Sequence, residues 1–174
     1  MAIRNIRIIG DEILEKKCRP VTEMKPRIKE LIEDMLDTMY DAQGVGLAAP
    51  QVGVLKRIVV IDVTPEGDDP IVLINPEIIE LAGEQEGQEG CLSVPNKVGI
   101  VKRANYAKVK ALNEDMEEVI LEGEGLLARA FCHEIDHLDG HMYTEFAEKM
   151  LTPEELEELL KEQEDAAENE DAEV

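Results

Sequence analysis

The segment HEIDH at 133–137 holds the residue types and the spacing of a metal-dependent hydrolase. Residues four apart on a helix share one face, so His133 and His137 can bind the same ion. Glu134 lies about 100° further round the helix, where it can act as a base towards a water molecule on that ion. Because such a pattern also arises by chance on charged helices, the interpretation depends on a third ligand.

That third ligand must come from elsewhere in the chain. The only other histidine is His141, but eight residues of helix rise about 12 Å, whereas Zn–N bonds are about 2.0–2.1 Å. His141 is therefore expected to be a surface residue. Cys91 is the best candidate, because it follows a glycine in the turn-like segment EGCLS and a thiolate binds zinc or iron well. Cys18 is expected to be incidental, and Cys132 a small buried side chain.

These residues must be positioned by a small α+β domain. Apolar residues at helical spacing predict a helix at 25–43, a second helix spans 125–138, and Thr152 followed by Pro153 predicts the start of a third that ends at Glu164. Five further segments are predicted: a buried strand at 56–63, one or two strands at 70–81 broken at Pro76, a turn-rich segment at 86–99, and a strand pair formed by 105–113 and 116–123.

The fold expected from this order is α+β, with antiparallel β-sheets packed around a central metal-binding helix and with N-terminal and C-terminal helices. The catalytic domain is expected to span 1–164. An acidic, disordered tail is expected at 165–174.

Charge and composition restrict the binding partners and the cellular location that are expected for this chain. The net charge is −22, of which residues 152–174 carry −10, so the chain should repel nucleic acid phosphates and no direct nucleic-acid binding is expected. No apolar run reaches the ~18–20 residues that span a bilayer, and no signal-peptide pattern is present. The three cysteines and the missing signal favour a reducing, cytoplasmic location without membrane association.

Three motifs in order, GVGLAAPQ at 44–51, EGCLS at 89–93 and HEIDH at 133–137, resemble those of the peptide deformylase family. The resemblance extends over about residues 4–150 and includes RPV near the N-terminus and LINPEI in the strands. It implies hydrolysis of the formyl group from the N-terminal methionine of newly made bacterial proteins. It also implies a metal, usually Fe²⁺ in the cell, held by Cys91, His133 and His137. Many family members carry glutamine where this chain has Cys132, which leaves the metal ligands unaffected.

The resemblance assigns further roles. Glu134 is expected to take a proton from water and deliver it to the leaving amine, while the Gln51 side chain and the Leu92 backbone N–H stabilise the oxyanion. An extended substrate is expected to pair with Val45 and Gly46. At the positions seven and three residues before His133, Leu126 and Ala130 are plausible walls for the methionine side chain, with ordinary core packing as the alternative.

Two other functions remain possible at this level. A zincin-type endopeptidase would need a third histidine or glutamate ligand and a long cleft, and a structural metal module would need a closed site with four ligands.

A nucleotide-binding G-x-G is excluded for GVG, because the third glycine is missing and the preceding segment is predicted to be helical. Because Cys-His₂ suits Fe²⁺, Zn²⁺ and Ni²⁺, the residues do not distinguish these ions. The expected partners are N-formyl-methionyl nascent peptides, with transient proximity to the ribosome.

Overall fold

The computed structural model describes residues 2–172. It contains helices and strands in the following order: α1 (Pro26–Asp41), β1 (Gly46–Ala48), β2 (Ile58–Ile61), β3 (Ile71–Ala82), β4 (Gln85–Cys91), β5 (Val94–Arg103), β6 (Tyr106–Leu112), β7 (Glu118–Glu124), α2 (Leu126–Leu138), β8 (Lys149–Leu151) and α3 (Pro153–Ala172). No helix within the described residues is both long enough and apolar enough to cross a bilayer.

The strands form two antiparallel sheets, as predicted. The larger sheet has the strand order β1-β2-β3-β6-β7, and the smaller has the order β4-β5-β8. β1 is therefore an edge strand of the larger sheet, and β4 is an edge strand of the smaller one. The α+β class with a central helix between N-terminal and C-terminal helices is confirmed.

Helices cover both faces of β2, which explains its uninterrupted IVVI sequence. Val59 and Ile61 belong to the core that contains Phe131 of α2, whereas Ile58 and Val60 belong to the core that contains Met35 of α1. All four β2 side chains are fully buried. This strand, which pairs with β1, thereby fixes α2, the predicted metal-binding helix, relative to β1.

The prediction of a break at Pro76 was wrong, because β3 runs without interruption from Ile71 to Ala82. Its pairing with β6 shifts register between Ile74 and Glu77, and Asn75 has a left-handed φ of 51°. Proline lacks a backbone donor and is tolerated in a sheet at such a bulge. The Asn75 side chain stabilises the bulge by bonding to both backbone groups of Val21.

The segment 86–99, predicted as turn-rich, instead forms most of the β4–β5 hairpin. The two strands pair antiparallel from Gln85↔Arg103 to Cys91↔Val94. Glycines weaken a strand on intrinsic propensity, but here tertiary packing needs one of them. A Cβ at Gly87 would lie 3.0 Å from the guanidinium of Arg129. Cross-strand pairing and this close approach therefore outweigh local propensity.

The third helix begins as predicted but continues further. The Thr152 hydroxyl accepts a hydrogen bond from the Glu155 backbone N–H, which confirms the predicted N-cap. The helix was expected to end at Glu164, yet α3 extends to Ala172, because alanine and glutamate favour helix even without packing. Every side chain from Lys161 to Glu170 is exposed, and residues 173–174 of the expected tail lie outside the described part of the chain.

Candidate metal centre and active site

Three predicted ligands meet at one point between α2 and the β4–β5 hairpin. The ligand atoms of Cys91, His133 and His137 all lie within 4.8 Å of one another. The Cys91 Sγ is 3.4 Å from the His137 Nε2. Two donor atoms that each bond to one ion at about 2.0–2.3 Å must lie within a few ångströms of each other, as the Cys91 and His137 donor atoms do. The donor set of one thiolate and two imidazoles therefore fits a transition metal.

Local structure explains how each ligand reaches this point. His133 and His137 are one turn apart on α2, with ring centroids 5.0 Å apart. Cys91 is the last residue of β4, where the hairpin turns back towards β5. His141 lies beyond the end of α2, exposed and paired with Glu145 at 3.1 Å, as its expected surface position requires.

A buried carboxylate orients one of the metal ligands. The Nδ1–H of His133 donates to Glu89 at 2.7 Å, which leaves Nε2 available for an ion. Burial opposes ionisation of Glu89, but hydrogen bonds from His133 and Arg103 lower its pKa to about 2. Arg103 pairs with the same carboxylate at 2.8 Å. Nothing in the sequence indicated the bond between Glu89 and His133.

The protonation of the two histidines differs. Burial and the neighbouring His133 lower the pKa of His137 well below its ordinary value, so this imidazole stays neutral, the form that binds metals. Burial also opposes a charge on His133, but contacts with Cys91 and Glu89 outweigh it and raise the pKa of His133 to about 10. The surroundings of His133 therefore favour a positive charge at this imidazole, and a metal ion bound to it would supply that charge.

Glu134 lies beside the ligand cluster and is almost completely buried. Its Oε1 is 3.6 Å from the His133 Nε2, and its Oε2 has no hydrogen-bond partner among the described residues. Burial raises the pKa of Glu134 to about 7, which suits a group that gains and loses a proton near neutrality. A buried oxygen without a partner in this position can bind water or a reacting group.

Gly46 allows Glu134 to take this position. A Cβ at residue 46 would lie 2.9 Å from the Glu134 Cγ and 3.0 Å from its Oε1, closer than real Cβ atoms tolerate. The backbone of β1 therefore passes directly over the carboxylate. Sequence reasoning expected room for a substrate backbone at this glycine, and the structure adds the room for Glu134.

Gln51 is fully buried in the short 3₁₀ turn that follows β1. Its Oε1 accepts a hydrogen bond from the Ala48 N–H at 2.9 Å, which fixes the amide orientation. Its Nε2 donates to Ser93 at 3.0 Å and lies 3.5 Å from the Cys91 Sγ. The Gln51 amide therefore lies beside the ligand cluster, with its Nε2 directed at Ser93 and Cys91.

A cavity of about 460 Å³ opens in front of the cluster. Its walls include Cys91, His133 and Glu134 together with Val45, Gly46, Leu92, Leu126 and Ala130, which were expected to contact substrate. Gln51, which was expected to stabilise the oxyanion, is not among the residues that line it. Ala130 is buried, whereas Val45 and Leu126 are about half exposed.

Asp136 and Cys132 lie near the cluster but outside its ligand set. Asp136 binds Arg103 at 2.8 Å and contacts neither histidine ligand directly in the hydrogen bonds of the described residues. Cys132 is buried, as expected, and burial raises the pKa of its thiol. Neither residue joins the group of ligand atoms.

Comparison with known proteins agrees with this geometry. The family model for polypeptide deformylase matches residues 3–152. A peptide deformylase of Lachnoclostridium phytofermentans is 68% identical over 145 residues, covering 83% of this chain and 89% of the relative. One of Agathobacter rectalis is 64% identical, covering 87% of this chain and 94% of the relative. The crystal structure of peptide deformylase from Thermotoga maritima has a TM-score of 0.80 at 42% identity, covering 84% of this chain and 99% of that one.

Proposed function

The chain belongs to the polypeptide deformylase family, and we propose that Cys91, His133 and His137 hold the metal ion on which its activity depends. Family members are metal-dependent hydrolases that remove the formyl group from the N-terminal methionine of new proteins and release formate. The observation that carries the proposal is the meeting of three ligand atoms within 4.8 Å beside the buried Glu134. When bound, the ion supplies a water molecule acidified enough to be nucleophilic near neutral pH.

Glu134 is the proton carrier in this proposal. Its partnerless Oε2 accepts the proton of the attacking water and then passes it to the nitrogen of the leaving peptide. The carboxylate is held in place because the Gly46 backbone packs against its Cγ and the helix fixes its Cα. Burial excludes bulk water, so the proton is transferred within the site.

The developing oxyanion is stabilised by the Gln51 amide and the Leu92 backbone N–H. The bond from Ala48 fixes the Gln51 amide before substrate arrives, and in this proposal one Nε2 hydrogen turns from Ser93 or Cys91 to the oxyanion. Leu92 follows Cys91 directly and lines the cavity. Its N–H therefore belongs to the same turn that presents the thiolate.

The substrate binds as an extended chain along β1. This strand pairs with β2 on one side only, which makes it the edge of the larger sheet. Val45 and Gly46 of this edge line the cavity, so a formylated peptide can add to it through backbone hydrogen bonds. Leu126 and Ala130, on the cavity side of α2, provide apolar contacts for the methionine side chain.

Formate release from a formyl-Met-Ala-Ser peptide tests the function directly. We expect turnover of this peptide and none of the acetyl-Met analogue, because the proposed activity is specific for the formyl group. Cleavage of internal bonds in an unformylated peptide, without formate release, would instead indicate an endopeptidase.

Fe²⁺ is the ion that we propose for the cell, with Zn²⁺ and Ni²⁺ as alternatives that the same donors accept. Cys91 is partly exposed at the cavity wall, so oxygen can reach a thiolate bound to iron. We therefore expect the iron-loaded enzyme to lose activity in air and to keep it under anaerobic conditions. The measurement compares half-lives of the iron and nickel forms with and without oxygen. Equal half-lives for the iron form in both atmospheres would contradict this prediction.

The substrate places the enzyme in the cytoplasm and transiently near the ribosome, where nascent chains emerge. The acidic α3 is not the contact in this proposal, because its net negative charge repels RNA phosphate. Leu156 and Leu159 are partly buried in the groove beside Ile100, whereas Leu160 is exposed and the helix beyond it is solvated. We propose that the catalytic domain ends near Glu164, and the exposure of every side chain from Lys161 to Glu170 supports this boundary.

Deleting residues 165–174 is expected to leave kcat/KM on a short formyl-Met peptide nearly unchanged. The deletion removes five acidic residues and no basic one, so binding to ribosomes should be equal or stronger at low salt. Peptide kinetics and ribosome co-sedimentation at two salt concentrations measure both effects. Clearly weaker sedimentation of the shortened enzyme would show that the deleted segment makes specific contacts.

A further inference from the structure

We propose that Arg129 is a positioning residue of the metal centre, which holds Glu89 so that one of its oxygens stays directed at the ligand His133. The inference rests on the metal site proposed above. Arg129 lies on α2, one turn before His133, and is only 5% exposed. It lines the cavity in front of the ligand cluster.

Four donors surround the Glu89 carboxylate. Its Oε1 accepts from the His133 Nδ1 at 2.7 Å and from the Arg103 Nη2 at 2.9 Å. Its Oε2 accepts from the Arg103 Nε at 2.8 Å and from the Arg129 Nη1 at 2.6 Å. A carboxylate offers about four lone-pair sites, so every site is filled and the group has one orientation.

The two arginines, Arg103 and Arg129, differ in their hydrogen-bond partners. Arg103 is shared, because its Nη1 also donates to Asp136 at 2.8 Å. Arg129 has Glu89 as its one carboxylate partner among the described residues, and its other bonds are to neutral oxygens of Val101 and Gln85. Arg129 therefore shares the second oxygen of Glu89 with Arg103 and binds it from the cavity side.

The surrounding chain is built to admit this guanidinium. Gly87 of β4 faces it, and any larger residue would place a Cβ 3.0 Å from the Arg129 Nη2. Gln85 accepts from the Arg129 Nη2 at 3.4 Å while donating to the Gly125 carbonyl at the start of α2. A buried charge is costly unless its hydrogen bonds are satisfied. Without Arg129, the Glu89 Oε2 would keep only its bond from Arg103, and its other lone pair would be open to water in the cavity.

A positioning role and a purely electrostatic role for Arg129 predict opposite changes in metal affinity when Arg129 is removed. Loss of a nearby positive charge would, by Coulomb's law, strengthen the binding of a metal cation. Loss of an orienting partner would weaken it, because groups that orient metal-bound histidines typically contribute about 10–100-fold in affinity. The sign of the change therefore separates the two roles.

The experiment measures Co²⁺ affinity by chelator competition under anaerobic conditions, together with the thiolate-to-cobalt absorption. We expect R129M to bind Co²⁺ about 10–100-fold more weakly than the unsubstituted protein. R129K should be intermediate, because it keeps the charge but cannot reproduce the planar, multidentate contact. The matched control is R57M: Arg57 bonds to Leu138 and Asp139 at the other end of α2, so it tests anchoring of the same helix without touching Glu89. R57M should keep full affinity.

Unchanged or tighter Co²⁺ binding by R129M would overturn the proposal, as would an equal loss in R57M. If R129M does not fold, R129K decides the matter: weaker binding supports the proposal, and unchanged affinity rejects it. Failure of the unsubstituted protein to show a thiolate–cobalt band would instead remove the metal site itself. The two failures are therefore distinguishable.

Discussion

The E134Q enzyme is expected to keep its metal and to lose about 10²–10⁴-fold in kcat/KM on a formyl-Met peptide, the range that general acid–base catalysis supplies. Glutamine has nearly the shape of glutamate, so the close packing of this side chain against Gly46 is preserved. It cannot accept a proton, and the Oε2 that has no partner among the described residues is the atom that is lost. Metal content and formate release, measured on the same preparation, test both halves of the prediction.

Glu145 offers a matched control for this substitution. It is an exposed glutamate paired with His141 at 3.1 Å, which reproduces a histidine–glutamate contact away from the cavity. E145Q should retain both metal and turnover. If E134Q turned over normally, or contained no metal, Glu134 would not be the proton carrier that we propose.

The C91A enzyme is expected to lose both its metal and its activity. The two histidines of α2 provide only two of the three ligand atoms that meet within 4.8 Å, and two imidazoles alone leave an ion largely exposed to competing solvent. The thiolate is also the one anionic ligand in the set, so its removal lowers the attraction for a cation. Metal content after gel filtration in the presence of a weak chelator measures the loss.

H141A is the control for C91A, because it removes a histidine near the site without removing a ligand. His141 is exposed and bonds to Glu145 rather than to any residue of the cluster. Metal and turnover should therefore be unchanged in H141A. Full metal occupancy in C91A would mean that the ligand set contains a different third residue.

Local patterns were sufficient wherever the physics is local. The i, i+4 spacing of His133 and His137 determines a shared helix face whatever the rest of the chain does. In the same way, the apolar periodicity of α1 and the uninterrupted β-branched run of β2 each predicted an element that the structure confirms. The Thr152–Pro153 start of α3 was predictable because capping involves only neighbouring residues.

Some local expectations failed because longer-range interactions outweighed propensity. Pro76 lies inside β3, since a bulge and the Asn75 side chain satisfy the disrupted pairing. The glycines of β4 form a strand because pairing with β5 holds them. The helix α3 also continues beyond Glu164, where a disordered tail was expected. The same glutamate and alanine residues that make this segment acidic and polar also favour helix.

The third ligand and its surroundings depended on tertiary structure. Cys91 could be nominated from its neighbours, but its approach to His137, 46 residues away, follows from the packing of the β4–β5 hairpin on α2. Similarly, Gly46 and Glu134 are 88 positions apart, and only the placement of β1 over α2 makes that glycine necessary. Side-chain contacts across such separations have no periodicity in the sequence that could reveal them.

The hydrogen bonds around the Glu89 carboxylate depend most clearly on tertiary structure. Its partners His133, Arg103 and Arg129 lie 44, 14 and 40 residues away and come from two different elements. The two arginines are ordinary charged residues when considered alone, and charged residues are mostly exposed. The sequence by itself thus determined the chemistry of the metal ligands and the class of fold. The tertiary structure decided which buried charges orient those ligands, because that choice depends on distances that only packing sets.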